Sequence, residues 1–435
     1  MLKGFQNVLQ LEDLKKRIGF TVLLLAVYRL GSHIPTPGID GHALSAFFNQ
    51  SKGTLFGMFD LFAGGALKRA TIFALGIMPY INASIIMELL TTVVPHLENL
   101  KKEGEEGRKK IIQYVRYFTV VLAMVQAFGI SFWLESLKST EGMVVINPGF
   151  GFKILTIITL SSGTAFIMWL GEQITERGVG NGISLIIFIG IIAEMPGALI
   201  QSIELIKGGQ INIVISLLVL VLMVVVIGAV VILESAHRKV PIQYAKRIVG
   251  RKVYGGQSTH LPLRLDQSGV IAVIFASSVI IFPATIAEFT HIGFLVKIAG
   301  WLNYGTVLHT LLYVALIIFF CYFYTAVTFN PGDIAENIKK SGGYIPGIRP
   351  GKPTAEYIDY ILTRITLVGA IGISIISVLP TFLMQGLKVP FYFGGTALLI
   401  VVGVALDLMR QIESHLLMRN YDGFMKKGKL KARSN

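Results

Sequence analysis

The chain has 435 residues, of which 53% are hydrophobic and only 15% charged, and its 39 Lys and Arg against 25 Asp and Glu give a formal charge of +14. Globular chains carry about a quarter charged residues, so the composition argues against a soluble enzyme of this length, and the apolar content argues against a disordered chain apart from the basic tail. A single cysteine, Cys321, leaves no room for a disulfide framework or a cysteine-rich zinc site.

A bilayer span takes roughly 20 predominantly apolar residues. Ten stretches qualify, at 19 to 35, 71 to 94, 114 to 134, 153 to 171, 183 to 201, 211 to 233, 269 to 289, 307 to 327, 365 to 384 and 392 to 409. The first follows Lys15, Lys16 and Arg17, the charge order of a signal peptide. Arg29 stands where a small-residue cleavage site would be wanted, so an uncleaved first helix is expected. Residues 37 to 70 are too long for a hairpin link and rich in Phe and Gly. Leu55, Met58, Phe59 and Phe62 could share one helical face, but Gly53, Gly57, Gly64 and Gly65 weaken any helix. The segment reads as a short, partly apolar element, with an interfacial helix on the outer leaflet as the even alternative.

In the second span Ile77 and Ile81 lie four apart on one face with Pro79 between them, and Glu88 is an ionisable residue in its inner part. Ile183 and Ile187 repeat the spacing in the fifth span, just after GVGNG. In Ile-rich helices such pairs serve packing more often than function. After the sixth span, residues 234 to 268 mix β-branched and basic residues around Val249-Gly250 and Gly255-Gly256, the pattern of a basic hairpin-like finger. After the eighth, residues 328 to 364 hold a short polar helix, DIAENIKK, and then SGGYIPGIRPGKP, in which Gly and Pro frame Arg349. Long structured loops are uncommon unless functional, so docking is favoured over topology alone for these two.

Thirty of the 39 basic residues fall on alternate segments that begin with the N-terminal one and end with the tail 410 to 435. By the positive-inside rule both termini are expected in the cytoplasm. Ten spans divide five and five, as an inverted repeat would, into residues 1 to 205 and 206 to 409, with any functional cavity between the halves. A P-loop, an HExxH zinc pair and a GxSxG elbow are all absent, so no hydrolytic or ATP-using centre, metal or cofactor is expected. Whatever moves through such a protein is driven by a partner or a gradient.

The stretches YRLGSHIPTPGID, FALGIMPYINASII, KKEGEEGRKKIIQYVRY, RGVGNGIS, YAKRIVGRKVYGGQSTHLPLR, IFASSVIIFPATIA and YIPGIRPGKPTAEYID together resemble the SecY family of protein-conducting channels along essentially the whole chain. The resemblance implies an all-α polytopic fold of ten transmembrane helices, two inverted five-helix halves around a central hourglass pore. It implies a closing ring at Ile77, Ile81, Ile183, Ile187, Ile274 and Ile400. A plug is implied over about 56 to 69, with Phe56, Met58, Phe59, Leu61 and Phe62. The implied lateral gate carries Ser84, Glu88, Phe282 and Thr285, with Glu88 where related chains often have a neutral amide. Docking falls to Arg349 in one loop and Lys246, Arg247 and Arg251 in the other. The implied partners are small SecE-like and SecG-like membrane subunits, the motor SecA or a translating ribosome, unfolded preproteins with their signal sequences, and lipid of the cell inner membrane. The rival class is a secondary transporter with inverted repeats, which would have no need of two large basic loops and would need a buried coupling-ion site.

Overall fold

In lipid, backbone polar groups must be satisfied internally, so apolar runs of span length become helices. The structure, a computed structural model, describes residues 12–41, 43–45, 60, 63–139, 142–209, 213–244, 247–249, 252–254, 258–290, 300–301, 306–387 and 395–431. Its main helices are α1 (Glu12–Gly31), α2 (Met78–Val93), α3 (Pro95–Lys102), α4 (Glu105–Ser136), α5 (Phe150–Arg177), α6 (Gly182–Lys207), α7 (Ile213–Ser235), α8 (Val270–Thr290), α9 (Val307–Thr328), α10 (Pro331–Lys340), α11 (Lys352–Leu387) and α12 (Gly395–Lys431). Each of the ten apolar stretches falls on one of them. Among the described residues six helices are long and apolar enough to cross a membrane, and α2 with α3 would make a seventh, bent by 97°. The bend has a local cause. Pro95 opens α3, and the residue before a proline is driven to extended backbone, as Val94 is at φ −94° and ψ 114°.

The second span departs from expectation at its start. Residues 72 to 77 are turns rather than helix, with Ala74 N–H donating to Thr71 O at 2.9 Å and Gly76 N–H to Phe73 O at 2.8 Å. Gly76 takes φ 57°, which ends any right-handed run, and Pro79 can sit in the first turn of a helix but not in its interior. Tertiary packing holds these turns in place. Phe73 lies over Gly31 of α1 and stacks on Tyr28 and Phe166, at 5.8 and 6.1 Å between ring centroids, while Ile72 O fills the space a side chain at Gly163 would take.

The chain forms two compact units. One comprises Met1–Glu204, Ser278–Tyr304 and Val404–Asn435; the other comprises Leu205–Ser277 and Gly305–Gly403. In the first, α4 packs along α5, and the start of α1 (Leu14, Ile18) meets Val179 and the α12 residues Leu408, Ile412 and Leu416. In the second, the finger and the loop after α9 fold together. Strand β3 (His237–Tyr244) pairs antiparallel with β6 (Ser258–Arg264) on one edge and with β7 (Gly343–Tyr344) on the other, giving a sheet of order β6-β3-β7. The finger's tip is a smaller ladder, β4 (Arg247–Val249) with β5 (Lys252–Tyr254), and β1 (Lys138–Ser139) with β2 (Gly142–Met143) is a third short pair. Alternation along β3 turns Val240 and Ile242 inward, onto a core with Leu263, Ile338 of α10, Ile345, and Ile358, Ile361 and Leu362 of α11.

Candidate functional site

Three groups of residues matter: the isoleucines, the buried stem before α2, and the polar platform. Ile77 is the N-cap of α2 and not an interior residue, yet its carbonyl accepts from Ile81 N–H at 3.1 Å, so the two stay one turn apart. Both are buried. On α6 the turn GVGNG sets the start. Asn181 Oδ1 accepts from Ile183 N–H and Ser184 N–H at 3.1 and 3.2 Å, as an N-cap should, and Thr175 Oγ1 accepts from Gly182 N–H at 2.9 Å. A side chain at Gly182 would strike Gly171 O of α5. Ile183, half-buried, reaches the bare face of α5 at Gly171, and Ile187 is fully buried. These four belong to the first unit. Ile274 and Ile400, both buried, belong to the second. Ile274 lies in the second turn of α8, whose entry is fixed by Asp266: one carboxylate oxygen accepts from Ser268 N–H, Ser268 Oγ–H and Gly269 N–H at 3.0, 2.9 and 2.8 Å. Burial pushes that carboxyl up, against the pull of these bonds.

Phe56, Met58, Phe59, Leu61 and Phe62 lie outside the described residues, but the stem that follows them does not. Ala63, Ala66, Leu67, Ala70 and Thr71 are all buried, so this part of the segment packs inside protein and not on a leaflet. Gly64 makes a close backbone approach: a Cβ there would stand 2.8 Å from the Cα of Gly190 in α6, and its φ of 63° already favours glycine. Polar contacts complete the seat. Tyr28 Oη–H donates to Ala63 O at 3.4 Å, Arg29 Nη1 to Gly64 O at 3.1 Å and Arg69 Nε to Gly65 O at 3.1 Å, and Arg69 Nη2 pairs with Glu194 Oε1 at 3.1 Å. Sequence reading did not single out Glu194 or Gly190. The signal available was a carboxylate and a glycine one turn apart on an otherwise apolar span.

Of the gate residues, Ser84 and Glu88 are half-buried on α2, and Glu88 O accepts from the hydroxyls of Thr91 and Thr92 at 2.7 and 3.2 Å. Phe282 and Thr285 fall on α8, with side chains outside the described set, as is that of Arg247 on β4. Lys246 and Arg251 also lie outside the described residues. Arg349 is exposed at the tip of a stiff turn. Gly347 and Gly351 on either side take φ 81° and 103°, and Thr354, buried, donates its hydroxyl to Arg349 O at 2.9 Å. The sequence treats the two loops as separate, whereas the structure joins them: Gln243 pairs with Tyr344 and Tyr244 with Gly343, and Tyr344 Oη–H donates to Gln243 Oε1 at 3.1 Å.

Membrane-length helices, a buried glycine stem ahead of a half-turned span and a folded polar platform define a polytopic α-helical membrane protein. Solved structures agree on the fold. One described as the structure of a protein conducting channel superposes with a TM-score of 0.65 at 18% identity, covering 92% of each chain. Sec61 in a canine ribosome-channel complex superposes at 0.61 and 16% identity, again over 92% of each chain. The chain belongs to the SecY family, whose family model matches residues 71–409. Protein translocase subunit SecY of Escherichia coli (strain K12) is 52% identical over 97% of this chain and 96% of its own length, and that of Rickettsia felis is 51% identical over 97% and 98%.

Proposed function

We propose that the chain is the pore-forming subunit of a Sec protein translocase: a passive conduit that passes unfolded secretory polypeptides across the inner membrane and releases apolar helices sideways into lipid. One observation carries this, the 52% identity to a protein translocase subunit along 97% of the chain. The chain acts as a channel and not as a catalyst, with SecE-like and SecG-like subunits beside it and SecA or a translating ribosome supplying the drive. Ile77, Ile81, Ile183, Ile187, Ile274 and Ile400 close the waist, where an apolar constriction dewets and blocks ions. Residues 56 to 69 act as the plug; one structural neighbour is described as having a plug domain that stabilises the closed state and maintains a membrane seal. Ser84, Glu88, Phe282 and Thr285 line the lateral gate. Arg349, Lys246, Arg247 and Arg251 form the docking face, in keeping with the exposed turn that carries Arg349, and both termini lie on that cytoplasmic side. The pore runs between five-helix halves, residues 1 to 205 and 206 to 409.

The test is reconstitution into proteoliposomes with the small subunits, SecA and ATP. An unfolded preprotein is expected to become protease-protected, and an ion gradient alone is expected to drive no solute uptake. Solute uptake without preprotein transport would instead identify a secondary transporter.

A further inference from the structure

The stem is held at its two ends by different kinds of bond. Its downstream end is tied by backbone alone: Thr36 N–H donates to Ala70 O at 2.7 Å, Ile72 N–H donates to Ile34 O at 3.0 Å, and Pro35 bridges Thr71. Between these two bonds sits Ala70 at φ 44°, a left-handed conformation that L residues avoid and that persists only where the surroundings hold it. The upstream end, over Ala63 to Arg69, contacts the helices through glycine packing, the Tyr28 hydroxyl and charged side chains. Arg29 of α1 donates to Gly64 O, and Arg69 donates to Gly65 O while pairing with Glu194 of α6. Gly64 meets Gly190 one turn before that carboxylate on the same helix. The ion pair is partly in solvent, with 33% of the Arg69 and 49% of the Glu194 side chain exposed, so it can exchange for water. Two guanidiniums thus flank Glu194, with the Asp60 carboxylate close behind in the same loop. Without the Glu194 charge, Arg29 and Arg69 would repel each other across the stem.

We propose that Glu194 is a positioning residue of the seal: with Arg69 and Arg29 it forms a clasp that holds the stem against α1 and α6, and the strength of that clasp sets how readily the channel opens. The proposal rests on the reading of the chain as a channel with a plug. A passing polypeptide would then need to break one half-exposed ion pair and a glycine contact, while the backbone bridge at 34–36 keeps the stem tethered for its return.

The experiment uses the complete complex in planar bilayers, with resting ion conductance as the readout. Glu194→Gln and Arg69→Gln are each expected to raise it several-fold, the scale of a lost charge contact, and the charge swap E194R with R69E is expected to return it towards the wild-type value. A purely packing role would leave the swap as leaky as the single variants, which would overturn the clasp. A variant lacking residues 56 to 69 is the reference. If it conducts and Glu194→Gln behaves as wild type, the clasp is wrong and the channel stands. If it does not conduct, the channel reading fails and the clasp with it.

Discussion

Asp60 shows how one carboxylate can make the stem respond to acid. Its Oδ1 accepts from Lys68 N–H at 2.9 Å, closing the loop that places Gly64 and Gly65. Although the residue keeps some surface in solvent, its carboxyl is set among protein atoms. Desolvation pushes it up to about 6, with Glu194 adding to the rise and the Lys68 and Leu67 amides and the Lys68 charge opposing it. A carboxyl raised in the seated stem binds its proton more tightly there than in water, so protonation favours seating. The gain is absent above about pH 7, grows as pH falls through 6 and is complete below about 4. Resting conductance is therefore expected to fall when the stem's side of the bilayer is taken from about pH 7.5 to 5, and Asp60→Asn should make it low and insensitive to pH. Gly64 gives a second expectation. Gly64→Val, driven into Gly190, should cost about 1 to 3 kcal/mol, whereas Gly209→Ala, also at positive φ but in open space, should cost only about 1 kcal/mol. Thermal unfolding of the detergent-solubilised protein compares the two.

At the scale of elements, the turn that carries Arg349 is specified by backbone rather than by charge. Glycines at 347 and 351 supply left-handed conformations, and Thr354 fastens the turn to the start of α11 through Arg349 O. Arg349→Glu is expected to reduce motor-driven translocation sharply with membrane insertion unchanged. Thr354→Val keeps the charge and loses a hydrogen bond worth about 1 kcal/mol, so it should lower translocation about fivefold; equal effects on insertion and translocation would reduce Arg349 to a topology charge. Much of this region was legible. DIAENIKK reads as a helix and is α10, and the run from 234 to 268 reads as a hairpin and is β3 to β6. The union of the two loops was not legible, because β7 is only Gly343–Tyr344, too short to carry a period of two. The start of the second span was missed for a related reason. Apolar composition marks what is buried, and residues 73 to 77 are buried as turns, so Gly76 and Pro79 were the better guides. Glu194 escaped notice because its partner is 125 residues away, and no local pattern records such a pairing.

For the whole molecule, the apolar runs carry most of the helix plan, since length and apolarity are properties lipid reads directly. The isoleucines are less readable, because a buried isoleucine in a core and one in a constriction look alike in sequence. Replacing two or more of Ile77, Ile81, Ile183, Ile187, Ile274 and Ile400 with Gly or Ser is expected to wet the waist and raise resting conductance well above that of any single variant; unchanged conductance with the protein shown to be inserted would remove the ring. The helix α11 has a mechanical meaning of its own. It begins just after the turn that carries Arg349 and runs 28 residues, Lys352–Leu379, before Pro380, about 42 Å at 1.5 Å per residue, where the hydrocarbon layer is about 30 Å. Its first turns are clamped into the platform core by Ile358, Ile361 and Leu362, and its later turns are apolar enough for the bilayer. A load applied at Arg349 therefore enters the end of a stiff rod. Under the proposed docking at Arg349, the platform would serve as the handle of a lever whose shaft lies in the membrane, and a partner's stroke would reach the bilayer without first crossing a flexible joint.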